Sequence, residues 1–346
     1  MQPETPAPPA PRRFSPLTHV LRNLKTYNII WGVLGRTWDN LAAEAEWAAE
    51  TIPTGVHGQI KLELSAAQQR HILVRLAEMG MFDGLEPATT SCDDLLVAGA
   101  KFEAMVVQAN MILERLRATS SQQLSIRRIT GLYGQRPRTD QLDGTAEQIY
   151  THLPRQVQQH WWVRGEWFRR QANDADQPWR GPFATEFELG ILALIIAANG
   201  EIHVERPKRC SEEQVFADVP ARQFSHAQLW LPGGTDILAV NAPAVQRLKG
   251  EPRPTGESTM RHWLCHYGPL DRQGNLVVAT TRVHGRRLLG DMEPLVHQTH
   301  PQLTVHGLSM DADPPEKFFN HALIEAVWLL VKANDEYQLN RARPHD

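Results

Sequence analysis

From residue 93 onward the sequence alternates between short apolar runs and longer amphipathic runs, and this order constrains the fold most strongly. The runs with the length and apolar content of strands are residues 93–100, 125–130, 235–241, 276–280 and 302–306. Helical periodicity marks residues 103–117, 187–198, 257–266, 286–297 and 315–333. Strands that alternate with helices form a mainly parallel sheet covered on both faces. We therefore predict an α/β fold with a mainly parallel, doubly wound (Rossmann-like) sheet and an N-terminal helical segment.

The first 90 residues differ from the rest of the chain. Residues 1–15 are rich in proline, which predicts a disordered tail, and residues 16–90 have helical spacing without recognisable site chemistry. We assign residues 91–340 to the α/β domain. Insertions are expected near residues 141–181 and 201–231, and the second of them has the composition of a charged loop.

Composition limits the function classes. The 346 residues are 42% apolar and 22% charged, as expected of a globular protein, and a formal charge of −3 gives no general attraction to nucleic acid or anionic membranes. Cys92, Cys210 and Cys265 are too far apart for a disulfide framework, which fits a reducing cytosol. Because the apolar runs are too short to span a bilayer, we expect a cytoplasmic protein without a transmembrane segment.

Polar residues follow the strand at residues 276–280 in the run NLVVATTRVHGRR. Open α/β sheets bind ligands at the carboxyl ends of their strands, so Thr280, Thr281, His284 and Arg287 are expected to face a pocket. The Arg287 guanidinium suits a phosphate or a carboxylate. His284 suits proton transfer or hydrogen-bond donation.

Two glycine-containing clusters follow the first two strands. Gly99 permits close approach of the backbone to a ligand, beside the amino terminus of the next helix. Gly131, Gln135 and Arg136 share the loop predicted at residues 131–139, although a turn that requires glycine explains part of this composition.

Two further clusters precede helices. Thr185 and Glu188 have the spacing of a capping box, which leaves Glu186 to hold a hydroxyl group or to act as a general base. The loop before the helix at residues 257–266 gathers Asn241, Arg253, Thr255, Ser258 and Thr259. Thr255 or Ser258 also fits a helix cap, whereas Arg253 lies between two prolines, which favours a positioned contact with an anion.

Two other patterns have structural explanations. Trp161, Trp162 and Trp167 alternate with arginines up to Arg170, which is typical either of single-stranded nucleic-acid binding or of a helix that packs its tryptophans on the sheet. We expect packing, because an amphipathic helix produces the same string, so nucleic acid is not the expected partner; a protein could bind this stretch or the N-terminal helices. His262, Cys265 and His266 could share a helix face, but no fourth ligand is indicated and no metal site is predicted.

The order of these clusters resembles the YdcF/SanA/ElyC-like family of bacterial proteins over about residues 93–333. The family has V-L-G-G and S-G-G turns after its first two strands, a Ser-Glu-Ala helix start, an E-x-x-S-x-N-T-x-E-N loop and a V-T-S-x-Y-H-x-x-R-A motif. The last motif is matched best, by Thr280, Thr281, His284 and Arg287. Weaker matches are Gly99, the 131–136 stretch, the Thr185–Glu186 pair and the Ser258–Thr259 pair.

The chain also departs from the family pattern. Ala100 replaces the second glycine of the first turn, and Arg261 and His262 stand where the family has E-N. We therefore interpret the chain as a divergent member. The resemblance implies a Rossmann-like sheet and, because one member binds S-adenosylmethionine, it makes that molecule a candidate ligand.

The combined prediction is a site for a nucleotide-like or other anionic, hydroxyl-bearing small molecule. Glu186 and His284 are the predicted catalytic residues if the ligand undergoes hydrolysis or group transfer. The predicted ligand-binding residues are Gly99, Gly131, Gln135, Arg136, Thr185, Asn241, Arg253, Thr255, Ser258, Thr259, Thr280, Thr281 and Arg287. The competing hypothesis is a non-catalytic interaction or regulatory protein with a degenerate pocket.

Overall fold

The computed structural model divides the chain into two compact units. One contains residues 84–312, and the other contains residues 1–83 together with residues 313–346. The structure describes residues 14–53, 60–117, 124–165, 183–205, 226–232, 234–245, 254–271, 273–309 and 315–342. The predicted disordered tail therefore lies outside the described residues except at its end.

A seven-stranded sheet forms the centre of the unit at residues 84–312. Its strands are β1 (Ser91–Ala98), β2 (Ser125–Gly134), β3 (His203–Val204), β4 (His226–Trp230), β5 (Asp236–Ala242), β6 (Gly274–Thr280) and β7 (Leu303–Ser309). They are ordered β3-β4-β5-β2-β1-β6-β7. β5, β2, β1, β6 and β7 pair in parallel, and β4 is antiparallel to both of its neighbours. The predicted α/β fold with a mainly parallel sheet is confirmed.

Helices account for most of the remaining described residues. The N-terminal helices are α1 (Pro16–Arg22), α2 (Leu24–Val33), α3 (Leu41–Thr51) and α4 (Ala66–Glu78). Those of the sheet unit are α5 (Phe102–Arg117), α6 (Asp140–Asp143), α7 (Ala146–Thr151), α8 (Arg155–Gln159), α9 (Glu186–Ala197), α10 (Gly256–His266) and α11 (Arg282–Thr299). A 3-10 turn (Pro315–Phe318) leads into α12 (Phe319–Ala342).

The sheet buries both of its faces, because successive side chains of a strand point in opposite directions. In β1, Leu95 and Val97 pack in one core with residues of α5 and α9. Leu96 packs in a second core, with residues of α10 and α11. Burial on both sides explains why the strands are continuous apolar runs rather than alternating ones.

β2 is longer than the sequence predicted, and its extension moves Gly131 from a loop into the strand. The Tyr133 ring is almost completely buried and lies close to two glycines: a Cβ built on Gly131 or on Gly190 would come within 2.6 Å of its atoms. These glycines thus make room for an aromatic ring between β2 and α9. The predicted loop at residues 131–139 begins only after Gly134.

Neither expected insertion is simply a loop. Residues 140–165 are mostly helical, and Leu153, Val157 and Trp162 from this stretch are buried in the core that contains α5. β3 and β4 occupy the two ends of the second stretch, where they extend the sheet beyond β5. Residues 206–225 lie outside the described part of the chain.

The last helix belongs with the N-terminal helices, which corrects its assignment to the α/β domain. The Tyr27 hydroxyl donates a hydrogen bond to the Ala326 carbonyl over 2.9 Å. Glu336 accepts hydrogen bonds from the Ser15 hydroxyl (2.8 Å) and the Leu17 amide (2.9 Å). The helical period of α12 is visible in the sequence, but these distant contacts are not. None of the described helices combines the length and apolar character needed to cross a bilayer.

The contact between Tyr133 and its glycines gives a first stability test. We expect Gly131→Ala to lower the free energy of unfolding by about 1–3 kcal/mol, because the added methyl overlaps a ring that has no space to move. Urea denaturation measures the change. Gly84→Ala is the control, since a Cβ there meets no atom within 4 Å. Equal stability of the two variants would contradict this packing.

Candidate functional site

The strand order creates a crevice between β1 and β6. From β1 the chain passes through α5 to β2 on one side, whereas from β6 it passes through α11 to β7 on the other side. The connecting helices cover opposite faces, so their amino ends separate above these two neighbouring strands. Open α/β sheets bind ligands at such a switch point, beyond the carboxyl ends of the strands.

A pocket of about 170 Å³ lies at this position, bordered by Gly99 after β1 and by Thr280 at the end of β6. The other sequence-predicted residues that line it are Thr255, Thr259, Glu186, His284 and Arg287. The sequence did not single out its remaining wall, which is formed by Ala98, Leu132, Pro254, Gly256, Leu288 and Met292. The structure thus brings together residues that are up to 194 positions apart in sequence, from the carboxyl ends of strands and the amino-terminal parts of helices.

Glu186 is held against the backbone of Gly99. A Cβ built on Gly99 would come within 2.0 Å of Glu186 Oε1, so this position has no room for a side chain. The Gly99 amide donates to the Leu132 carbonyl over 3.0 Å, which fixes the turn after β1. Glycine is therefore needed here because the Glu186 carboxyl group approaches closely, and a ligand need not touch Gly99 to explain it.

Local backbone pairing positions the start of α9. The Glu186 amide donates to the Arg136 carbonyl over 2.8 Å, and the Arg138 amide donates to the Ala184 carbonyl over 2.8 Å. The predicted capping box is confirmed: the Glu188 carboxylate accepts from the Thr185 amide over 3.1 Å. Glu188 is thus committed to the helix end, while Glu186 lines the pocket.

Arg136 connects Glu186 to the rest of the structure. Its Nε donates to Glu186 Oε2 over 2.8 Å, and its two terminal nitrogens donate to the Asp143 carboxylate over 3.1 and 3.2 Å. The Ala100 and Pro137 carbonyls accept the remaining two N–H groups, over 3.2 and 3.4 Å. All five guanidinium donors therefore have acceptors within the protein. Arg136 does not line the pocket, so its predicted binding of a ligand anion stays a prediction.

Asp143 is the functional-site residue that sequence reasoning missed. Its side chain is completely buried and also accepts from the backbone amides of Phe102 and Thr139, each over 3.1 Å. It therefore caps the first turn of α5 while it binds Arg136 in a bidentate pair. Asp143 fell within a predicted insertion, and only the Asp-Gly pair at its position signalled a local turn.

The charges of this cluster affect the pKa of Glu186. Two enclosed carboxyl groups share one guanidinium, so the cluster of Arg136, Asp143 and Glu186 carries one negative charge in excess when all three are ionised. Burial raises the pKa of Glu186, and the Asp143 charge adds to this effect against the lowering by Arg136. A carboxyl group with a raised pKa at a pocket wall is suited to proton donation as well as acceptance.

Helix starts form the opposite side of the pocket. Thr255 and Ser258 exchange side-chain and backbone hydrogen bonds of 2.8 and 3.0 Å in a capping box at α10. The Thr259 hydroxyl donates to the Thr255 carbonyl over 2.8 Å. Gly256 and Glu257 lie in the first turn, where backbone N–H groups have no intrahelical acceptor. This end of α10, like that of α11, favours negative charge.

His284 and Arg287 lie in the first two turns of α11, one turn apart, so they project from the same side of the helix. Arg287 Nη1 lies 3.5 Å from Asp291 Oδ2, and its side chain is about one quarter exposed. Arg287 also lines the pocket. The site thus combines a cation and an imidazole on α11 with a carboxyl group on α9.

The structure does not place all predicted residues at the pocket wall. Gly131 and Asn241 are within strands, Thr185 and Ser258 belong to helix caps, and Gln135 is buried beside the end of β2. Thr281 precedes α11, and its buried Oγ1 has no hydrogen-bond partner among the described residues. Arg253 lies outside the described residues.

The tryptophan-rich stretch is only partly described. Trp162 is buried and its ring lies 6.3 Å from that of Phe183, which favours packing on the sheet, whereas Trp161 is exposed and stacks on His160. Trp167 and the arginines at 169 and 170 lie outside the described residues.

His262 and His266 lie one turn apart on α10, with their ring centroids 4.6 Å apart. Burial lowers the pKa of His262 to about 4, and the neighbouring His266 adds to this effect. Within the described ranges, no three His, Cys, Asp or Glu side chains come together as a metal-binding group.

Comparison with known proteins leaves the family resemblance as a prediction. No protein-family model matches this chain, and a search of curated proteins finds no match either. We therefore infer the function from the site itself.

The role of Arg136 can be tested through stability. We expect Arg136→Met to lower the free energy of unfolding by about 3–5 kcal/mol, because it leaves the buried Asp143 and the mostly enclosed Glu186 without their cation. Combining it with Glu186→Gln should recover part of the loss. Chemical denaturation measures both effects.

Arg261→Met is the matched control for this experiment. Arg261 pairs with Glu257 on the exposed surface of α10 over 3.0 Å, and the loss should stay below about 1 kcal/mol. An Arg136 variant as stable as the Arg261 variant would contradict the internal role of Arg136.

Proposed function

We propose that this pocket binds a small anionic molecule that also has a hydroxyl group. The observation that carries the proposal is that Glu186, His284 and Arg287, from helices on opposite faces of the sheet, line one small pocket at the switch point. An anion is favoured by Arg287 and by the first turns of α10 and α11. A hydroxyl group is favoured by Glu186, whose Oε2 is occupied by Arg136 while its Oε1 lies beside Gly99.

The size of the pocket narrows the ligand class. Its volume of about 170 Å³ is below the ~300–1,000 Å³ of sites that enclose drug-sized ligands. The enclosed space therefore suits a phosphate or carboxylate with a short carbon skeleton, or the anionic end of a longer molecule. S-adenosylmethionine and nucleotides remain candidates only if most of the molecule lies outside this space. Leu132, Leu288 and Met292 provide an apolar wall for the carbon atoms.

We extend the proposal to hydrolysis or group transfer on such an anion. In this reaction class, Arg287 and the helix starts stabilise negative charge, while His284 and Glu186 exchange protons with the ligand. The raised pKa of Glu186 supports this assignment.

The departures from the YdcF-like motif do not weaken the pocket. Arg261, which stands where the family has glutamate, forms an exposed surface pair with Glu257, and neither it nor His262 lines the pocket. A degenerate site, as required by a purely regulatory protein, would be expected to have lost charged groups from the pocket wall. The presence of Glu186, His284 and Arg287 there favours a ligand-binding site and a divergent family membership.

Calorimetric titration tests the proposal directly, with inorganic phosphate, a triose phosphate and S-adenosylmethionine as probes. We expect at least one phosphate-containing probe to bind. Arg287→Ala should weaken that binding at least tenfold, because a tenfold rise in Kd requires the loss of only about 1.4 kcal/mol of binding free energy. Arg261→Ala is the control and should bind like the wild type, because its side chain is exposed outside the pocket. Absence of binding by every probe, or equal loss in both variants, would refute the proposal.

A further inference from the structure

Asp143 lies behind the pocket wall and is connected to Glu186 by hydrogen bonds through Arg136. Its carboxylate forms the bidentate pair with the guanidinium whose Nε binds Glu186. Both Asp143 oxygens are fully used, since Oδ1 also accepts from Phe102 and Oδ2 from Thr139. These contacts join the start of α5, α6, the end of β2 and the start of α9 in one buried network.

The network is more elaborate than helix capping requires. A cap needs one side-chain oxygen that accepts from a first-turn amide, which Asp143 provides to Phe102 with Oδ1 alone. The remaining interactions orient Arg136, and Arg136 in turn fixes one oxygen of Glu186 and leaves the other beside Gly99. Burying a second carboxylate near Glu186 is unfavourable in itself, because like charges repel in an environment of low dielectric constant.

We infer that Asp143 is a positioning residue of the pocket. By sharing the Arg136 guanidinium with Glu186, it fixes the Glu186 carboxyl group at the wall and sets the protonation state in which Glu186 meets a ligand. The part that concerns a ligand rests on the proposed function. There, a protonated Glu186 donates a hydrogen bond to an anion, whereas an ionised Glu186 repels it.

The charged and titratable groups near Glu186 come from several elements. Asp143 and Arg136 form the network, and Tyr133 of β2 is close enough for the Glu186 charge to raise its pKa further, in addition to the larger effect of burial. His284 and Arg287 face the same pocket from α11. Glu188, on the same helix, is committed to the capping box. Of these, Asp143 has a completely buried carboxyl group that Asp143→Asn replaces with a neutral group of the same shape.

The test is a pH titration of the ligand-free protein by ¹³C NMR, with labelled glutamate side chains. The Glu186 carboxyl resonance is assigned as the signal lost in Glu186→Gln. We expect its midpoint in the wild type to lie above that of glutamates in the same chain unfolded in urea. Asp143→Asn removes the negative charge but keeps one oxygen for Phe102, and it should move the midpoint to lower pH.

The matched control is Asp140→Asn on the same helix. Asp140 is exposed and pairs with Arg138, so its neutralisation should leave the Glu186 midpoint unchanged. An unchanged midpoint in Asp143→Asn, or an equal shift in both variants, would overturn the inference. If Asp143→Asn fails to fold, the wild-type midpoint decides: a value at or below that of the unfolded chain overturns it. Because no ligand is present, this result is independent of the calorimetric test.

Discussion

The arrangement of the site depends on one guanidinium that is shared by two carboxyl groups, one completely buried and one at the pocket wall. Arg136 binds Asp143 at the end of α6 and Glu186 at the start of α9, both of which follow it in sequence. Asp143 continues the network to the amino end of α5. Arg136 and Asp143 therefore determine both the position and the charge of the Glu186 carboxyl group. A substitution of Arg136 or Asp143 should therefore affect Glu186 without replacing a residue of the pocket wall.

The order of the strands determines where the pocket beside this network lies. The parallel strands β5, β2, β1, β6 and β7 place the crevice between β1 and β6, at the ends of which Gly99 and Thr280 lie. The sequence predicted this architecture because buried strands appear as apolar runs separated by helices. It misplaced the end of β2, because Gly131, which signals a turn in the sequence, instead makes room for the Tyr133 ring. It also misassigned α12, because contacts such as Tyr27 with Ala326 join distant parts of the chain.

The sequence predicted those site residues whose presence is not explained by a helix cap or by the core of a strand. Glu186 stood out because Thr185 and Glu188 already completed a helix cap, and His284 and Arg287 stood out because they follow a strand. Arg136 was recognised as a cation at the right place, but its bond to a carboxylate fifty residues away depends on tertiary structure. Asp143 gave no chemical signal in sequence, because its function comes entirely from the groups around it.

The most direct test of the central claim, that the switch-point pocket is an anion site, follows glycine amides by NMR during titration with inorganic phosphate. Gly99 and Gly256 line the pocket, whereas Gly84 is exposed outside it. The account predicts saturable shifts of the Gly99 and Gly256 amides with Gly84 unchanged, and loss of these shifts in Arg287→Ala. Shifts confined to other glycines, or none that saturate, would contradict it.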